Sequence, residues 1–234
     1  MRINKYIGES GKASRRAADR LIDEGRVTIN GELATLGTRV SPGDDVRIDG
    51  DSVNITKEYV YLALNKPVGI TSTTDQTIKG NIVDLVNHPL RVFHVGRLDK
   101  DSHGLILMTN DGDVVNEILR SENRHEKEYI VKVDRPITAD FLRKMSAGVE
   151  ILDTKTLPCY TEKLSKYTFK IILTQGLNRQ IRRMCSALDY TVKELQRIRI
   201  MNIELGNLPI GEWRDLTDKE RTTLFNDMNY VPKQ

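Results

Sequence analysis

The sequence predicts an α+β protein: a small N-terminal αα-β module, then a larger domain with a mixed, mostly antiparallel sheet flanked by helices. Three observations carry this. The first fifty or so residues hold two short amphipathic segments followed by a tight hairpin. From Tyr59 onward, short runs of branched and aromatic residues recur with brief connections. Only a few helical stretches lie between them. At 234 residues the chain has room for one large domain and one small one. With 38% hydrophobic and 29% charged residues it reads as globular rather than disordered. No apolar run approaches the roughly 20 residues that cross a bilayer. The polar start has no signal-peptide core, so a cytoplasmic protein without membrane contact is expected.

Ile3, Tyr6 and Ile7 recur at helical spacing, and Gly11 stops that segment. Ser14 stands where an N-cap belongs, its hydroxyl free to accept from a first-turn amide. Ala17, Ala18, Leu21 and Ile22 then form one apolar face, with Arg15, Arg16 and Arg20 turned away from it. Gly25 suits the position after such a helix, since it reaches positive φ without penalty. Residues 26–29 read as a strand, Asn30-Gly31 as a two-residue hairpin turn, and Pro42-Gly43 as a turn before a strand at 45–48.

This order of elements resembles the S4 RNA-binding module over residues 1–50, carried by residues 2–7, 14–19 and 25–31 and by Pro42-Gly43-Asp44. The resemblance implies that the two helices present basic side chains to structured RNA, with Arg15, Arg16 and Arg26 as contacts. Such binding rests on shape and phosphate contacts, with little base reading. Residues 51–58 are polar and without period and read as a linker. The second domain then spans 59–234, with strands expected at 59–64, 92–95, 105–108, 129–133, 168–173 and 197–205. Helices are expected at 82–87, 112–120, 138–146 and 178–188, and a last one beginning within 215–220.

The net charge of +3 says less than its distribution. Residues 176–199 hold six cations and two carboxylates, and residues 1–26 hold seven and four. Two basic clusters on a nearly balanced chain suit phosphate contacts, although either one alone also reads as a solvated helix face. The most telling stretch is Gly96-Arg97-Leu98-Asp99-Lys100-Asp101-Ser102-His103-Gly104-Leu105. It sets Asp99 between Arg97 and Lys100, in a loop between two strands, where catalytic residues are disproportionately found. Neighbouring cations favour an ionised carboxylate, suited to a nucleophile or base rather than a neutral acid.

Four motifs stand in order: Lys66-Pro67-Val68-Gly69, the Arg97-Leu98-Asp99 stretch, His125-Glu126-Lys127-Glu128-Tyr129, and Gly176-Leu177-Asn178-Arg179-Gln180-Ile181-Arg182-Arg183-Met184. With the S4-like start they resemble the RsuA/RluB/RluE/RluF-type pseudouridine synthases, along the whole chain. The F-like subgroup, which acts on large-subunit ribosomal RNA, shares most text, including Gly211-Glu212-Trp213-Arg214-Asp215-Leu216. The resemblance implies an isomerase with Asp99 as the catalytic carboxylate, Tyr129 packed against the target base, and Arg182 paired with Asp99. Arg97, Arg179 and Arg183 are further candidates for RNA contact. Leu177 and Arg179 stand where much of the wider family has arginine and histidine, a departure typical of the F-like subgroup.

The implied partner is ribosomal RNA, 23S foremost, with 16S RNA and transfer RNA as further substrate classes, and the chain is expected to act as a monomer. A non-catalytic S4-type assembly factor is the rival reading. Isomerisation is redox-neutral and needs no hydrolysis, so no cofactor or metal is expected. The sequence offers no glycine-rich nucleotide loop. Asp99 to Asn110 imitates the start of a calcium loop but lacks the closing bidentate glutamate. Cys159 and Cys185 have no metal-ligand spacing; reduced thiols are the default, with a single disulfide left open. Trp213 reads as core packing.

Overall fold

The computed structural model describes residues 1–55, 58–120 and 124–231. Of the expected linker, Thr56 and Lys57 lie outside the described residues, as do 232–234 of the second domain. The N-terminal module holds α1 (Ile3–Glu9), α2 (Arg15–Asp23), β1 (Val27–Ile29), β2 (Glu32–Leu33), β3 (Val46–Ile48) and β4 (Asp51–Ser52). Ser14 caps α2 by accepting from the Ala17 amide, a contact worth about 1 kcal/mol. Gly25, at φ +69°, ends the helix, with Gly25 N–H donating to Ile22 O and Arg26 N–H to Leu21 O. These two bonds satisfy carbonyls that the helix leaves open. Asn30 and Gly31 both take positive φ, as a two-residue hairpin turn requires. Ile3, Ile7, Ala18, Ile22, Val27 and Val46 pack into one small core.

Asp51 and Ser52, read as linker, instead pair with β3 at the sheet edge. Val53 is buried in the same core and donates to Val46 O. A two-residue edge strand is too short to show a period; its signal is the Asp49-Gly50 pair just before it, both at positive φ as a two-residue hairpin turn requires.

The larger domain contains β5 (Tyr61–Lys66), α3 (Ile82–Val86), β6 (Phe93–Val95), β7 (His103–Thr109), α4 (Gly112–Leu119) and β8 (Lys127–Val133). It continues with α5 (Ala139–Ser146), β9 (Glu150–Ile151), β10 (Thr154–Lys155), β11 (Tyr160–Lys163), β12 (Thr168–Leu173) and α6 (Gln180–Ala187). It closes with β13 (Val192–Ile200), β14 (Ile203–Glu204), β15 (Trp213–Asp215) and α7 (Asp218–Asp227). The main sheet runs β11-β12-β8-β13-β7-β5-β15, with β14 on β13 and β6 on β7. Among the described strands of this sheet the β13–β7 pair alone is parallel, at Gln196↔His103 and Arg197↔Gly104.

Every residue of β5 is buried because both faces of the sheet are covered. Leu62 and Leu64 join Ile106, Val131 and Phe169 under α3, α5 and α6. Tyr61 and Ala63 face the other way, onto α4 and α7 with Leu105, Ile118 and Phe225. Each fully buried aliphatic side chain contributes roughly 1.5–3 kcal/mol.

The expected strand at 197–205 is two strands: β13 starts at Val192 and the chain turns at Met201, φ +51°, into β14. The short strands β9, β10, β11 and β15 are not among the expected ones; with at most four residues, nearly all of them exposed or half-buried, they carry little alternation. Trp213 packs against the main core and its indole N–H donates to Val86 O at 3.0 Å. Between the domains, Lys5 Nζ of α1 donates to Asp113 of α4 at 2.8 Å. Among the described residues no helix is long and apolar enough to cross a membrane.

Candidate active site

The loop between β6 and β7 carries Asp99, and two neighbouring segments fix its shape. The Ser72 hydroxyl donates to Leu98 O at 2.7 Å and accepts from Leu98 N–H at 3.2 Å. Leu98 itself is buried in the main core. Ser102 N–H donates to Asp99 O at 3.0 Å, closing a turn around the carboxylate. The Lys66-Pro67-Val68-Gly69 segment supports the loop from the side: Gly69 N–H donates to Lys100 O at 2.7 Å.

Lys66 is fully buried and donates to Pro67 O and Ile70 O at 2.8 and 2.9 Å. Burial pushes its ammonium down to about 8, partly offset by the Asp101 and Asp99 carboxylates. Lys66 is therefore an internal tie for the 66–70 segment that supports the loop, a role its motif alone does not disclose.

Asp99 is about one-third exposed, and Arg179 Nη1 stands 3.4 Å from its Oδ2. Arg179 is held there by a two-pronged contact to Asp101, at 3.0 and 2.9 Å. This fork geometry fixes a guanidinium more tightly than a single contact does. The same pair keeps the Asp101 carboxyl below the usual carboxylate range. Arg179 caps α6 in the left-handed region, φ +49°, which swings its side chain out of the helical path.

Arg182, one turn on, donates from Nη2 to Asp101 O and to the buried Ser102 hydroxyl, both at 2.9 Å. The expected Arg182–Asp99 pair is thus replaced: Arg179 takes Asp99, and Arg182 braces Asp101 and Ser102 further along the loop. The reason is positional. Arg179 precedes the helix and reaches over the loop, whereas Arg182 lies within α6 and meets the loop from behind.

A cleft of about 510 Å³ opens over Asp99 and is lined by Arg97, Lys127, Tyr129, Arg179 and Arg197 among others. Tyr129 lies on its floor, 9% exposed. Its cross-strand neighbour on β13 is Arg197, whose guanidinium carbon is 6.0 Å from the ring centroid. That separation lies at the outer edge of cation–π attraction. Arg197 is buried, donates from Nε to Leu105 O at 2.7 Å, and has Nη2 enclosed without a hydrogen-bond partner.

The approach of β7 to β13 at this point depends on Gly104. A Cβ there would lie 2.3 Å from Arg197 O. Sequence reasoning counted Arg197 only as part of a basic cluster. The signal that marks it is parity: it alternates with Leu195 on the inward face of β13.

The remaining candidates are dispersed. Arg97 is exposed at the rim of the cleft. Arg183 is exposed and bonded to Asn178. Arg15 and Arg16 are exposed on α2. Arg26 is exposed but engaged by Asp49, at 2.9 and 2.6 Å, and by Glu24 at 3.1 Å. Cys159 and Cys185 are both free thiols, pushed up by burial to about 11 and 12. Among the described residues no group of three His, Cys, Asp or Glu is arranged to hold a metal ion.

A cleft with a carboxylate beside a guanidinium, an aromatic floor and a basic rim suits a nucleoside lifted out of an RNA strand. A family model described as RNA pseudouridylate synthase matches residues 60–187, which contain Asp99, Tyr129 and Arg182. The chain belongs to the RNA pseudouridylate synthases. An S4 domain model matches residues 1–46 of this synthase.

It is 57% identical over 227 residues to the dual-specificity RNA pseudouridine synthase RluF of Escherichia coli (strain K12), covering 96% of this chain and 78% of that protein. It is 38% identical over 229 residues to the ribosomal large subunit pseudouridine synthase B of Bacillus subtilis (strain 168), covering 94% and 93%. A solved structure described as a pseudouridylate synthase superposes with a TM-score of 0.72 at 29% identity, over 96% of this chain and 99% of that one. The synthase isomerises uridine in RNA to pseudouridine, so the rival reading as a non-catalytic binder is set aside.

Proposed function

We propose that the synthase modifies ribosomal RNA, foremost a uridine of the 23S molecule, with Asp99 as the carboxylate that begins the exchange. The reading is carried by the position of Asp99: in the cleft, partly exposed, with Arg179 held at 3.4 Å by Asp101. The target uridine leaves its stack, at a cost of a few kcal/mol. Contact with the Tyr129 ring offsets part of that, stacking being worth roughly 1–3 kcal/mol per base in single-strand binders. Asp99 then attacks C1′ or C6, or abstracts a ribose proton; the C1′–N1 bond breaks, the freed base turns, and the bond to Asp99 breaks, or the proton returns, before the product leaves. A C1′–C5 bond forms, the C5 proton is lost, and N1 gains a proton, so atoms and charge balance without redox or hydrolysis.

Arg182 acts on Asp99 through the loop rather than by direct pairing. Arg179 steadies the Asp99 carboxylate, Arg97 and Arg183 meet phosphates around the cleft, and Arg15, Arg16 and Arg26 do so on the N-terminal module. The Bacillus subtilis relative, described as acting on the large ribosomal subunit, supports the 23S assignment. The relative described as having dual specificity supports a second RNA substrate, for which transfer RNA is the reading. The enzyme works as a monomer in the cytoplasm, in keeping with its two free thiols.

Tritium release from RNA labelled at uridine C5 is the test, with 23S, 16S and transfer RNA assayed separately. Release from 23S RNA is expected, together with loss of one pseudouridine in 23S RNA from cells lacking the gene. Release from transfer RNA alone would overturn the ribosomal assignment.

A further inference from the structure

A second groove, of about 950 Å³, runs between the two domains. One wall is formed by Lys12, Arg16 and Arg20 of the N-terminal module. The other carries the 73–76 loop, α3 and Arg91 of the catalytic domain. Among the described residues, none of these four cations has a carboxylate within ion-pair distance. Elsewhere the arginines Arg26, Arg47, Arg199 and Arg214 all have one.

The groove has two carboxylates of its own, and both are engaged by their own segments. Asp75 accepts from Thr77 N–H and hydroxyl at 3.0 and 2.7 Å, and Asp84 accepts from Asn81 at 2.6 Å. Four like charges facing one channel repel one another, and a polyanion laid between them relieves that repulsion. Arg91 sharpens the point: it is half-buried, and burial pushes its guanidinium down with no carboxylate to counter it.

The chain also links this groove to the catalytic loop. The 73–76 wall begins one residue after Ser72, whose hydroxyl holds both backbone groups of Leu98 beside Asp99.

We infer that the interdomain groove binds the sugar-phosphate backbone of an RNA segment outside the target loop, so that the synthase grips its substrate at two separate places. The inference rests on the reading of ribosomal RNA as substrate contacted by the N-terminal module, and it adds the groove itself, with Arg91 of the catalytic domain as its second wall. It makes site choice depend on the distance between two points on a folded RNA, which a single flipped base cannot report.

The probes are 23S ribosomal RNA and a stem-loop excised from it around the modified uridine. The variants are the exposed pair Arg16→Gln with Arg20→Gln on one wall, and Arg91→Gln on the other. On 23S RNA, kcat/KM is expected to fall at least tenfold further than on the stem-loop. The slope of log affinity for 23S RNA against log salt should decrease by about one for each arginine removed. Equal losses on both RNAs, or an unaltered salt slope, would overturn the groove. The affinity measurement needs no turnover. A wild-type enzyme that leaves 23S RNA unmodified therefore refutes the substrate reading, while the slope still decides the groove.

Discussion

The arginines that hold the catalytic loop and the arginines of α2 are chemically alike and are held in opposite ways. Arg179 and Arg182 are tied by several bonds to Asp101, Ser102 and the loop backbone. Arg16 and Arg20 stand exposed without a carboxylate partner among the described residues. A group that must meet a reacting nucleoside benefits from a fixed position, because misplacement costs rate. A group that meets phosphates at many points benefits from reach, and its contribution is electrostatic and screened by salt. The difference separates catalysis from grip within one polypeptide.

The sharpest way to break the comparison is at Asp99. Asp99→Asn should lower turnover roughly 10³-fold or more while leaving the RNA dissociation constant within about threefold. Tritium release and filter binding on the same preparation read both quantities. Next comes the tie itself. Asp101→Asn removes the two-pronged hold on Arg179 and should lower kcat about tenfold with little change in KM. In a double-mutant cycle with Arg179→Ala the losses should fail to add. Additive losses would mean that Asp101 does not act through Arg179.

Smaller again is the contrast within the N-terminal module. Arg16→Ala should reduce the salt slope of RNA binding by about one, and Arg26→Ala by less than about half of that, because Arg26 is already answered by Asp49 and Glu24. The least effect on activity belongs to a tied pair away from the cleft. Arg214 holds the Glu220 carboxyl down to about 2, with help from the Thr217 cap of α7. The folded-state value lies below the ordinary one of 4.5, so this stabilisation is present above about 4.5 and is lost as pH falls towards 2. Glu220→Gln should cost about 1–2 kcal/mol in urea unfolding at pH 7 and leave kcat/KM unchanged.

The sequence foretold the parts that rest on local rules. The Ser14 cap, the Gly25 terminator and the Asn30-Gly31 turn are each decided by neighbours within a few residues, and each is found where expected. The Asp99 loop was legible because apolar runs frame it on both sides. What escaped was decided by distant partners. The strand β15 exists only because β5 lies beside it; the strand at Asp51 is the exception, joined to β3 by the local Asp49-Gly50 turn. The exchange of Arg182 for Arg179 at Asp99 depends on the left-handed conformation at residue 179, which no spacing rule announces for an arginine. Lys66 stands in a motif that assigns it no role, and it is an internal tie of the 66–70 segment. Arg91 drew no notice because its importance arises from a helix more than seventy residues earlier in the chain.

Gly104 has one more consequence. It sits at the seam where the sheet's two halves meet, and only two residue pairs, Gln196↔His103 and Arg197↔Gly104, stitch that seam. A methyl group at position 104 would act as a wedge beneath the cleft floor, since the nearest obstacle is main chain that has nowhere to retreat. Directed evolution of this enzyme should therefore tolerate wide variation around the rim and almost none at this one position. An alanine there would part the scaffold before it ever touched a substrate.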